Sequence, residues 1–149
     1  MNALGTVSVV VNYQDTSNGQ LSYHKGVETL SRVVADPTTC TLAFHVEVYS
    51  APLGYSGPAS SARDLTIYFG LMQKVIVEPY EKSASEQEAG IGHPEIVAVS
   101  TSPQVTLVEM FSSKPETGFI FYDADLADRV AKAINHAVEL CGGGSKEPF

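Results

Sequence analysis

The sequence predicts a mainly β domain of the α+β kind: an antiparallel bent sheet or small barrel of seven to eight strands, capped by one C-terminal amphipathic helix. Three observations predict it. Two-residue alternation of apolar and polar side chains runs through roughly the first four fifths of the chain. Clusters of turn-forming residues interrupt it at intervals suited to hairpins, without helical runs between them. Near the end, one stretch changes to a helical period.

The clearest strand is "CTLAFHVEV", where Cys40, Leu42, Phe44, Val46 and Val48 share one face and Thr41, His45, Glu47 and Tyr49 the other. Before it come "LGTVSVVVNY" (Leu4 to Tyr13) and "GVETLSRVV" (Gly26 to Val34). After it come "RDLTIYFG" (Arg63 to Gly70), "KVIVEPY" (Lys74 to Tyr80), "PEIVAVS" (Pro94 to Ser100), "QVTLVEMF" (Gln104 to Phe111) and "GFIFYD" (Gly118 to Asp123). The segments between them, among them "DTSNGQ", "APLGYSGPASSA", "EKSASEQEAGIGHP" and "SSKPETG", carry the Gly, Pro, Ser, Asn and Asp that end strands. The two longest are expected to be mobile loops.

From Asp123 to Cys141 the period becomes helical. With successive residues about 100° apart around an axis, Leu126, Val130, Ala133, Ile134, Ala137, Val138, Leu140 and Cys141 form one apolar arc, with Ala124, Ala127 and Ala131 at its margin. Asp123 is positioned to cap the first turn and Gly142 to end the helix in a left-handed conformation. Leu126, Val130, Ile134, Ala137 and Cys141 are the expected structural core of this helix. Its large apolar side chains would each contribute about 1.5–3 kcal/mol when fully buried. The remaining "GGGSKEPF" (142–149) reads as a flexible tail.

A chain of 149 residues with 44% hydrophobic and 17% charged residues suits a single globular domain, 1–149. Its net charge of −8, with Lys and Arg scattered singly, disfavours nucleic acid as a partner and makes membrane phosphoinositide binding unfavourable. The first residues lack a signal-peptide pattern and there is no long apolar span, so cytoplasmic residence is the default expectation. Cys40 and Cys141 are expected as buried free thiols, the alternative being a bridge closing a loop of about 100 residues.

Chemistry-bearing motifs are few. Cys141 lies on the apolar arc at the negative end of the helix, the wrong place for a thiolate nucleophile. His136 projects about 140° away from it. His24, His45, His93 and His136 do not form a metal-ligand spacing, and "GYSG" lacks the context of a nucleophile elbow. Glu86 and Glu88 read as a solvated polar surface. No cofactor, metal or catalytic residue is expected, and the balance leans away from an enzyme. The expected function is a binding or interaction module for a protein or peptide added along a sheet edge. The competing expectation is a ligand-binding or enzymatic barrel with a site at its open end, where His45, His93 or Tyr80 would converge. A self-associating structural subunit, a homo-oligomer, is the third.

The run "VAKAINHAVELCGG", with "DPTTCTLAFH" and "KVIVEP" earlier, resembles an uncharacterised bacterial protein group in which V-A-K-A, H-A-V-E-L-C and G-G recur. That resemblance implies no activity. By element order alone, strands followed by one C-terminal helix also resemble the pleckstrin-homology superfold, whose usual strand number is seven. Its lipid-binding members place basic residues around the first interstrand loop, where this chain offers Lys25 against Asp15.

Overall fold

The computed structural model describes residues 5–52, 59–112 and 115–144. Four strands follow one another as an antiparallel meander: β1 (Gly5–Asp15), β2 (Leu21–Asp36), β3 (Thr41–Pro52) and β4 (Ala59–Tyr68). A single 3-10 turn at Phe69–Leu71 leads into β5 (Lys74–Pro79), followed by helix α1 (Tyr80–Gly90). Strands β6 (Ile96–Ser102), β7 (Thr106–Phe111) and β8 (Pro115–Phe121) precede the terminal helix α2 (Ala124–Leu140). Every expected strand is present.

The strands form two antiparallel sheets, one ordered β4-β3-β2-β1-β6 and the other β5-β7-β8, rather than a closed barrel. Strand β6 crosses to pair with β1 along Val10–Asp15 instead of staying beside β5 and β7. With α1 and β6 set aside, the order is a four-strand meander, a three-strand meander and a helix. Within β2 the register to β3 shifts between Ser31 and Val34, and Arg32 there has φ 53°, so a bulge bends this long strand.

The core lies between the two sheets and against α2. Val108 and Met110 on the central strand β7 are 0% exposed, and Phe44 of β3 meets Phe119 of β8 edge to face, with ring centres 5.1 Å apart. Around them pack Ile67, Phe69, Met72 and, from α2, Ala127, Ala131, Ile134 and Val138. The caps of α2 form as the sequence implies: the Asp123 carboxylate accepts from the amides of Asp125 (2.9 Å) and Leu126 (3.3 Å), and Gly142 has φ 80°.

Three expectations about the helix and tail need correction. The buried face of α2 is centred on Ala127, Ala131, Ile134 and Val138, whereas Leu126 is 40% and Leu140 74% exposed. The two alanines let the helix axis approach the sheets closely, which rotates the larger leucines to its flanks. Val130 and Ala137 are half-buried beside the core. Cys141 is half-buried as well, and it is not a free thiol: it forms a disulfide with Cys40, which sits in the β2–β3 turn. The glycine run is also ordered as far as Gly144. The Gly143 amide donates to the Val138 carbonyl (2.9 Å) and the Gly144 amide to that of Met72 (2.8 Å). A Cβ on Gly143 would collide with the Phe69 and Met72 carbonyls, so only glycine permits this approach.

The stretch expected as a mobile loop from Glu81 to Pro94 contains α1. Its Ala, Glu, Gln and Lys residues favour a helix, but its only buried residues are Ser83 and Ala84, so no apolar stripe announces it. It lies against β6, where the Ser85 hydroxyl accepts from the Ala98 amide (2.9 Å). Part of the other long loop, residues 53–58, lies outside the described residues, as does the tail from 145 to 149. Among the described residues no helix is long and apolar enough to cross a membrane.

Candidate functional site

The two sheets do not pack against each other everywhere. Between them lies a cavity of about 600 Å³ whose walls are almost wholly apolar. Leu30, Val33, Leu42 and Phe44 supply the wall from the large sheet, Phe119 and Phe121 that from β8, and Leu126, Val130 and Ile134 that from α2. The alternation of β2 and β3 turns these residues inward, and the β2 bulge brings Val33 into the same wall. The rotation of α2 matters here as well: it sets Leu126 and Val130 over the cavity instead of sinking them into the packed core.

A second cavity of about 400 Å³ adjoins the first, since Glu28, Phe44 and Ile120 line both. Its walls are more polar and include Tyr49, Tyr80, Gln87 and Glu109, with Arg63 exposed at its margin. Glu28 therefore stands where an apolar space meets a polar one. Burial pushes its carboxyl up to about 7, opposed by the hydrogen bond that it accepts from the Ile120 amide. The Tyr80 hydroxyl is raised by burial and then by the charge of Glu28. Glu109 is raised by burial first, with Glu78 and Glu86 adding repulsion, while a hydrogen bond from Ser83 acts the other way.

The residues expected at a site do not come together. Tyr80, the first residue of α1, lines the polar cavity. His45 projects from the opposite face of β3 to Phe44 and Val46, where its Nδ1 lies 2.8 Å from Asp64 and its Nε2 3.4 Å from Glu47. The hydrogen bond from His45 holds the Asp64 carboxyl below its usual range. His93 is exposed after α1 and lies 3.4 Å from Glu95. Neither histidine lines either cavity.

Sequence reasoning missed Glu28. A signal was available: Gly26, Glu28 and Leu30 share one parity of β2, so anchoring Leu30 in the core places a carboxyl on the inward face. A carboxyl that titrates near 7 beside a tyrosine is raw material for acid–base chemistry. No histidine, cysteine or lysine lines either cavity among the described residues, although Ser50, in the wall of the polar one, lies 2.6 Å from His24 Nε2. Nor do three or more His, Cys, Asp or Glu side chains gather at a metal-binding distance among those residues. What the arrangement can do is hold an apolar body on one side and a polar group on the other.

No protein-family model matches the chain, and no curated protein or solved structure matches it significantly.

Proposed function

We propose that the chain is a non-enzymatic binding module that takes an elongated, mostly apolar small molecule into the space between its sheets. The observation that carries this reading is the apolar cavity of about 600 Å³. Protein interiors are normally filled to crystal-like density, and a void of that size lies within the roughly 300–1,000 Å³ usual for ligand sites. The Cys40–Cys141 bridge supports an oxidising compartment over the cytoplasmic default.

The test is titration with a fluorophore whose emission rises in apolar surroundings. One saturable site is expected, weakened in Val130→Trp and in Leu42→Trp, each of which projects an indole into the cavity and narrows it, with circular dichroism unchanged. Binding that never saturates, or that both substitutions leave at full strength, would remove the proposal.

A second reading, a peptide added along a sheet edge, has its own support. β6 pairs with β1 along Val10–Asp15, leaving the outer side of the N-terminal half of β1 to a side chain: the Tyr122 hydroxyl accepts from the Ser8 amide (2.7 Å) and donates to the Ser8 carbonyl (3.2 Å). A strand displacing Tyr122 would find backbone groups ready to pair. Tyr122→Phe would then strengthen peptide capture.

A further inference from the structure

We infer that the ligand of this cleft is a cationic amphiphile, an alkyl chain or apolar ring system bearing a primary or secondary ammonium group, with the ammonium held at Glu28. The inference rests on the binding reading above and adds the chemistry of the head group.

Glu28 occupies the junction of the two cavities, so a molecule whose body fills the apolar space delivers its end to this carboxyl. The Ile120 amide takes up only part of the acceptor capacity of a carboxylate, which has about four lone-pair sites. The groups around it are set for a cation. From β7 comes Glu109, from β3 the Tyr49 phenol, and from α1 Tyr80 and Gln87; β1 contributes the apolar Val9. Asp123, at the start of α2, borders the apolar cavity and is already engaged in capping. Against these carboxyls stands one cation among the described lining residues, Arg63 of β4, and it is exposed at the margin.

An anionic head would be driven against Glu28, where water screens poorly, and against the more solvated Glu109, and a neutral hydroxyl would donate a hydrogen bond without gaining a charge pair. An ammonium gains both. The overall charge of −8 also concentrates cations near the surface.

The experiment compares decylamine, decanol and decanoate, which share one tail, by calorimetric titration below their aggregation limits. At pH 8.5, where Glu28 is ionised, decylamine should bind about tenfold or more tightly than decanol, as one charge-assisted hydrogen bond implies. The preference should shrink toward parity at pH 5.5 as Glu28 takes up its proton. Glu28→Gln keeps an acceptor for the Ile120 amide and should lower decylamine affinity about tenfold with decanol unchanged. Unchanged decanol binding certifies an intact cavity, and the wild-type pH series gives an answer independent of that variant. Equal binding of amine and alcohol, or an amine preference that Glu28→Gln leaves untouched, would overturn the head-group assignment while the cavity reading stands. Preference for decanoate would overturn it in favour of Arg63. Failure of all three to bind would remove the cavity reading and this inference together.

Discussion

Two parts of the space between the sheets are built from the same strands and end differently. Under β7, side chains of graded size interlock: Val108 and Met110 from the sheet meet Ala127, Ala131 and Val138 from the helix, and the Cys40–Cys141 bridge fastens the helix end beside them. Under β2 and the start of α2, Leu30, Val33, Leu42, Leu126 and Val130 face one another across an open volume of about 600 Å³, with a carboxyl at its far side. Both parts are apolar and both draw on Phe44 and Phe119. The difference lies in approach. Small residues bring α2 close to the sheets in one part, and its larger side chains stand at the rim of the other. Hydrophobicity alone decides that a face turns inward, whereas side-chain volume decides whether it meets anything there.

The sharpest way to break this comparison is to unfasten the packed part. Replacing Cys40 and Cys141 together by serine should cost about 4–5 kcal/mol, the chain-entropy value for a loop of about 100 residues, as a lower urea midpoint. An unchanged midpoint would mean that the bridge does not hold the helix end. Next, Met110→Ala should cost roughly 3–4 kcal/mol because it opens a new void in a closely packed site. Leu42→Ala, which only widens an existing cavity, should cost about 1–2 kcal/mol. Equal losses would erase the distinction between the two parts.

Glu28 gives the third effect. Its carboxyl is raised in the folded state to about 7 from an ordinary value of 4.5. The folded protein thus retains a proton that the unfolded chain has already released, and the associated stability is complete below the unfolded value and is lost as pH rises through about 7. Relative to Glu28→Gln, the wild type should lose on the order of 3 kcal/mol between pH 4.5 and pH 8.5. Parallel curves for the two proteins across that range would show that the carboxyl is better solvated than its position implies. Smallest is Asp123→Ala, which removes the cap of α2 and should cost about 1 kcal/mol in thermal unfolding.

Much of this architecture was legible because burial on one face of a strand imposes a period of two. The eight strands and α2 with its Asp123 cap follow from pattern and cap chemistry. What escaped shares a different property, dependence on partners distant in sequence. Helix α1 carries its surface contact on Ser83, Ala84 and the Ser85 hydroxyl, none of which marks an amphipathic stripe. The crossing of β6 to β1 cannot be read from β6 itself, whose residues would pair equally well with β5 or β7. The disulfide joins residues 101 apart and depends on α2 returning to the β2–β3 turn. His45 and His93 drew attention for their chemistry, yet nearby carboxylates already engage both at the surface. Glu28 was concealed in plain alternation, because a carboxyl on an inward position looks like any other polar residue until the parity of Leu30 is fixed.

The detour of the chain through β6 also governs how the molecule can open. On that flank β6 is paired with β1 along Val10–Asp15 inside the five-stranded sheet, and the chain passes directly from β6 into β7 of the other sheet. Beside the N-terminal half of β1 the fastenings are two side chains, Tyr122 on Ser8 and Glu28 on the Ile120 amide, each releasable singly. The sheets should therefore part more readily beside Ser8, where each tie can be released alone, than at β6, where the chain itself joins them.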